Sequence, residues 1–176
     1  MRRLGRLGLV IGSVLCGPAL VAETQAQEAV LDQLEGDWVC GQLAETGGAA
    51  TFLNPSDLNF SLETGRRIRI DYTGFPFANT AGDPQPVRIS TRFTYERDMG
   101  VYIDVDADDP LAGDPARWFR LHDGGLDLFT LTVADDGTFA LETWLFSLVE
   151  GGVESVYLRR TGFNTPLRAM CLLERS

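Results

Sequence analysis

The only histidine of the chain, His122, is followed directly by Asp123, and an imidazole beside a carboxylate is the usual heart of a proton relay. If a strand continues through this point, consecutive side chains point to opposite faces and the two groups form no relay. Neither a G-x-S-x-G nucleophile elbow nor an H-E-x-x-H zinc helix occurs. Every basic residue is arginine, so lysine-dependent Schiff-base and P-loop chemistry is excluded. No catalytic motif emerges, and the expectation is a non-enzyme. The run "DVDADDPLAGD", Asp104 to Asp114, begins like an EF-hand loop with Asp-x-Asp-x-Asp. Asp109 stands where that loop needs glycine and Pro115 where it needs glutamate, so the EF-hand reading fails; a weaker calcium site in this loop is left open.

Cysteine chemistry depends on compartment. Residues 1–26 begin with Arg2, Arg3 and Arg6, continue through the apolar stretch "LGLVIGSVLCGPALVA", and end in the small-x-small site Thr24-Gln25-Ala26. This is the pattern of a signal peptide, too short and too interrupted by Gly12, Gly17 and Pro18 to read as a membrane anchor. Leu15 before Cys16 argues against a lipidated cysteine, so Cys16 is expected to leave with the signal. An exported chain, periplasmic or secreted, then keeps Cys40 and Cys171, which we expect to be bonded. One histidine and no C-x-x-C spacing leave little from which to build a zinc site.

The elements that would carry these residues are strands. Residues 27–176 read as one domain. Leu58, Phe60 and Leu62 alternate with polar residues, as do Ile68, Ile70 and Tyr72, then Val87, Ile89, Thr91, Phe93 and Tyr95. Further candidates at Gly36–Leu43, 101–105, 117–122, 126–133, 138–148, 153–159 and 169–174 bring the count to about ten strands. The turn "ADDGT" fits a three-residue hairpin loop with a glycine bulge, setting Val133 opposite Phe139 and Leu131 opposite Leu141. At "ETGRR" a three-residue loop sets Leu62 against Ile68 and Phe60 against Ile70, whereas a two-residue loop would pair Leu62 with Arg67. A run of hairpins after one short helical piece, Glu28 to Leu34, predicts an all-β, single antiparallel up-and-down barrel of about 8–10 strands. In such a barrel Cys40 and Cys171, in the first and last strands, clamp the seam.

Gly36-x-Trp38 at the start of the first strand, preceded by a short helix and followed by a meander, resembles the lipocalin and wider calycin barrels. That resemblance implies a structural Trp38 packed across the barrel floor on an arginine from the last strands, with Arg159, Arg160 or Arg168 as candidates. Some Gly-x-Trp barrels of the nitrobindin type hold haem through one histidine. Here His122 is expected to be a strand-end residue beside "HDGG", and no cofactor is expected.

Alternation predicts an inner wall of Leu58, Phe60, Ile68, Ile70, Tyr72, Phe93, Tyr95 and Phe129, with Phe75 and Phe77 at the rim of a gating loop, Thr73 to Pro86. The ligand contacts expected from this wall are Tyr72, Tyr95, Phe60, Phe93, Phe75 and Phe77, with the two phenols as polar contacts for a small, mostly apolar molecule. Arg67, Arg69, Arg88 and Arg92 share one face of two neighbouring strands. Fatty-acid-binding barrels turn an arginine pair inward, but four desolvated guanidinium groups are costly, so the outward placement is expected, with Asp71 and Glu96 as partners. The chain carries 15 basic and 25 acidic residues for a net charge of −10, and loss of residues 1–26 removes three of the first and one of the second. Nucleic acid, which calls for a basic face, is therefore not an expected partner. Two functions stay open: an exported small-ligand barrel, and an exported protein-binding barrel such as the periplasmic protease inhibitors that share a small barrel with one disulfide.

Overall fold

A computed structural model describes residues 18–44, 57–64, 67–74, 87–107, 109–162 and 167–176. One helix, α1 (Pro18–Leu34), leads into ten strands: β1 (Gly36–Ala44), β2 (Asp57–Glu63), β3 (Arg67–Gly74), β4 (Val87–Glu96), β5 (Val101–Asp104), β6 (Ala116–His122), β7 (Gly125–Val133), β8 (Phe139–Val149), β9 (Gly152–Thr161) and β10 (Leu167–Arg175). Each strand pairs antiparallel with its sequence neighbours and β1 pairs with β10, so the sheet closes into a barrel. The all-β up-and-down barrel read from the hairpin pattern is the observed architecture. α1 is longer than the helical piece expected from the sequence and runs through the expected processing site at Ala26. Among the described residues no helix is long and apolar enough to cross a membrane.

The hairpin registers follow from turn length. Leu62 lies opposite Ile68 and Phe60 opposite Ile70, while Val133 faces Phe139 and Leu131 faces Leu141. Gly137, at φ 79°, occupies the left-handed position that this tight connection requires. The short connections β2–β3, β4–β5, β6–β7 and β8–β9 join strand ends at one end of the barrel, together with α1. The longer connections 45–56, 75–86 and 105–115 leave from the other end. The barrel therefore has a turn end closed by a helix and a loop end.

Closure at the turn end rests on Trp38. Val30, Leu31 and Leu34 recur one turn apart on α1 and are buried against the barrel. The Trp38 ring is buried, and its Nε1 donates to the Leu34 carbonyl at 2.8 Å, satisfying an acceptor that the helix end leaves open. Arg175 lies over the indole with its guanidinium carbon 4.8 Å from the ring centre, and its Nη2 donates to the Gln33 carbonyl at 2.9 Å. The arginine beside Trp38 is thus Arg175, not Arg159, Arg160 or Arg168, because only the far end of the last strand reaches the turn-end floor. Gly36 has φ 128°, and a Cβ there would stand 3.1 Å from Arg175 Nη1, so both backbone and space favour glycine. Residues 25–34 consequently form a packed helix rather than a projecting arm.

Cys40 and Cys171 are bonded, with Cα atoms 5.9 Å apart across the β1–β10 seam. Above the floor, Phe60 meets Phe146 edge-on at 5.5 Å and Phe93 meets Phe119 at 5.0 Å. The void bounded by Leu58, Tyr72, Leu128, Trp144, Phe146 and Leu173 holds about 10 Å³, at the lower limit for a single water.

Phe129 corrects the expected inner wall. Leu126, Leu128 and Thr130 of β7 are buried inside, which turns Phe129 outward, where it stacks on Trp118 at 5.2 Å. Apolar residues stand on both faces of this strand, so alternation alone gives no unique side. The arginines of β3 and β4 take the expected outward face, opposite the parity of buried Ile68, Ile70 and Phe93. Arg69 pairs with Asp71 at 3.1 Å as expected, but Arg92 reaches Asp106 at 2.9 Å instead of Glu96.

Candidate functional site

Three strands within four neighbours, β6, β8 and β9, carry charged residues on their inward face near the loop end. In β6, Arg117 shares the parity of buried Phe119; in β8, Glu142 shares that of Trp144 and Phe146; in β9, Arg159 shares that of Val153 and Tyr157. Register places Arg159 opposite Glu142, Glu142 opposite Thr130, and Thr130 opposite Arg117, making one polar row across β9, β8, β7 and β6. One layer deeper, Tyr157, Trp144, Leu128 and Phe119 stand opposite one another in the same order. The row therefore lies on an aromatic and apolar floor, and the packed core is below it.

Charges in the row are balanced. Arg159 Nε lies 3.5 Å from Glu142 Oε1, and Arg117 Nη1 lies 3.4 Å from Asp104 Oδ2, whose side chain is 3 % exposed. A locally neutral set suits this depth, since a lone buried ion would be costly. Tyr72 enters from the facing strand β3, with its ring 6.2 Å from that of Trp144 and its hydroxyl beside Thr130 and Arg117. Burial raises the Tyr72 phenol above its ordinary range, partly opposed by the Arg117 charge. Tyr157 is raised as well, first by burial and then by the Glu142 carboxylate. Both hydroxyls therefore remain protonated donors across the physiological range.

Donors outnumber partners. Arg117 Nε and the hydroxyls of Thr130 and Thr91 are buried without a hydrogen-bond partner of close geometry, and the Tyr72 hydroxyl stands beside Thr130 and Arg117. Unmet buried polar groups cost about 1–3 kcal/mol each. An oxygen acceptor placed beside Arg117 Nε and Thr130 Oγ1 would complete their hydrogen bonding.

The residues expected to contact ligand are dispersed. Tyr72 belongs to the polar row. Phe60 and Phe93 are core packing residues, 3 % and 0 % exposed. Tyr95 lies on the inward face of β4 but at the turn end, six residues beyond Ile89, the cross-strand neighbour of Tyr72; that spacing corresponds to about 20 Å along a strand. One small molecule cannot touch both phenols, which corrects the expectation that they act together. Tyr95 instead borders an open pocket of about 710 Å³ beneath α1, with Leu31, Leu62 and Tyr102. Phe75 and Phe77 lie outside the described residues. Gly36, Trp38 and the cysteine pair occupy the floor and seam.

His122 is on the outer wall, where Asp127 and not Asp123 supplies the carboxylate, 3.4 Å from Nε2. Asp104 and Asp106 face Arg117 and Arg92, which accounts for two charges of the acidic loop without a cation. Among the described residues no group of three or more histidine, cysteine, aspartate or glutamate side chains is arranged to hold a metal ion.

Arg117, Thr130, Glu142 and Tyr157 were not singled out from the sequence, and Arg159 only as a candidate partner of Trp38. Their signal is parity: "WLF" in β8 fixes the inward set, and Glu142 falls on it two residues before Trp144. Comparison with family models, curated proteins and solved structures finds no match to this chain.

Proposed function

We propose that this chain is an exported, lipocalin-like barrel that binds one small amphipathic molecule at its loop end. The observation that carries the reading is the inward polar row over Trp144, in which Arg117 Nε and Thr130 Oγ1 lack partners. A ligand carbonyl or carboxylate would accept from these groups and from Tyr72, while its apolar part would lie on the ring of Trp144 and beside Tyr157. The void beneath the row holds about 10 Å³, so a ligand at this row reaches no deeper into the core, and the open pocket beneath α1 is a separate space at the turn end. The lipocalin-like part of the reading is supported by Gly36, Trp38 and Arg175 at the helix-closed floor, and export by the Cys40–Cys171 bond together with the signal-like residues 1–26. Among the described residues, Val30, Leu31 and Leu34 pack against the barrel, so the end of α1 is not a projecting arm of the kind a terminal-segment inhibitor uses.

The test is native mass spectrometry of the processed protein recovered from an exporting host. The reading expects a substoichiometric to stoichiometric small-molecule adduct that organic extraction removes. Processed protein without an adduct, and without stabilisation by any member of a panel of aromatic and aliphatic carboxylates and amides, would remove the proposal.

A further inference from the structure

The outer wall of the barrel has two unlike halves. Outward positions of β2–β4 are polar, among them Asn59, Ser61, Arg69, Asp71 and Arg92. Outward positions of β6–β10 form an apolar field in which Trp118, Phe129, Leu145, Val156, Leu158 and Met170 occupy the centre and remain partly exposed. Trp118 and Phe129 stack 13° from parallel, and Arg120 is held over Phe129 by its 2.8 Å ion pair with Asp127. This gives the field a rigid aromatic anchor of the type that concentrates binding energy at protein interfaces.

Charge is sorted along the same wall. At the loop end, β9 and β10 turn Arg160 and Arg168 outward; at the turn end they turn Glu154 and Glu174 outward. None of the four has an ion-pair partner among the described residues. A two-fold axis lying in the plane of the interface and running across the strands lays the loop end of one copy over the turn end of another, so the arginine rim of each meets the glutamate rim of its mate. We propose that the outward face of β6–β10 is a two-fold interface with a second copy of this chain, anchored by Trp118 and Phe129 on its β6–β7 side and by these reciprocal charge pairs on its β9–β10 side.

Dimension agrees with that occupant. Five strands at about 4.8 Å spacing, seven residues tall at about 3.3 Å each, make a wall of roughly 550 Å² before side-chain relief, approaching the ~800 Å² per partner of a standard specific interface. Such a surface is isologous: one patch serves both subunits. The polar β2–β4 half stays in water, which a bilayer enclosing the whole barrel would not permit. A net charge of −10 opposes self-association in general, and the apolar field with opposed rims is where that repulsion is least.

Sedimentation equilibrium of the purified chain tests this directly. A dimer at micromolar concentration is expected. The double variant R160E/R168E, which sets acid against acid at both rims, is expected to raise the dimer Kd by about tenfold or more. Adding E154R/E174R to the same chain restores the pairs with reversed sign and is expected to recover dimerisation, a result that misfolding of the first variant cannot produce. A monomeric wild type overturns the proposal. So does a dimer indifferent to both charge sets, which places the contact elsewhere, or a monomer that cosediments with phosphatidylcholine vesicles, which assigns the field to lipid.

Discussion

Trp38→Ala is the perturbation that most directly probes how the barrel floor is built. The ring is 4 % exposed, and truncating a buried tryptophan costs about 3–5 kcal/mol through lost transfer energy and the cavity left behind. The Leu34 carbonyl also loses its 2.8 Å donor, adding about 1 kcal/mol. Arg175 loses the ring beneath it, a contact of about 0.5–1 kcal/mol at an exposed site. The terms overlap, since contacts that share a partner are not additive, and a total of about 4–6 kcal/mol is expected. That is a large share of the ~5–15 kcal/mol that holds a domain folded. Urea denaturation followed by far-UV circular dichroism, with the disulfide intact, measures it. Arg175→Ala separates the cation contact from the ring and should cost only about 1 kcal/mol. If Trp38→Ala costs less than about 1 kcal/mol, the indole is not a structural floor and the closure argument fails.

Further outcomes follow from the seam, the phenols and Gly36. Denaturation without reductant should expose no thiol from Cys40 or Cys171, and reduction should cost up to about 5 kcal/mol for a bridge spanning 131 residues; two titratable thiols in the processed chain would contradict the seam. Tyr72 and Tyr157 have raised pKa values in the folded barrel, so the unfolded chain loses their protons first as pH rises past about 10. Their stabilising contribution is complete below that pH and falls above it, by up to about 1.4 kcal/mol per pH unit for each group. Urea titrations from neutral to strongly alkaline pH should show this loss in the wild type and a shallower one in Tyr72→Phe/Tyr157→Phe; equal slopes would place neither phenol in the core. Gly36→Ala should destabilise by about 1–2 kcal/mol through its positive φ and the nearby Arg175, and an unchanged urea midpoint would refute the close approach.

Much of the fold is legible because turn length and alternation constrain each other. Counting residues between Leu62 and Ile68, or between Val133 and Phe139, fixes a register, and register fixes which side chains share a face. The limit appears in β7, where Leu126 and Leu128 occupy one parity and Phe129 and Leu131 the other. Alternation marks the core only when the outer wall is polar, and here the outer wall of β6–β10 is not. The polar row is hard to see for a related reason: Arg117 and Glu142 stand on the parity that Phe119 and Trp144 set inward, and charge by itself gives no sign of an inward position. Arg175 was passed over for a related reason: sequence shows that arginines lie in the last strands, but not which end of a strand reaches the helix-covered floor. The ligand phenols were paired by parity, and parity carries no information on depth along the barrel, which separates Tyr72 from Tyr95.

The central claim is that ligand is held at the loop end by the row containing Arg117. Its most direct test is the affinity of the molecule recovered with the protein, titrated by Trp fluorescence into the extracted wild type, Arg117→Met and Tyr95→Phe. The account predicts a loss of about tenfold or more for Arg117→Met, in which a charged hydrogen bond worth about 1.5–3 kcal/mol is removed, and an unchanged affinity for Tyr95→Phe at the opposite end. Unchanged binding by Arg117→Met together with loss in Tyr95→Phe would contradict it and place the ligand beneath α1.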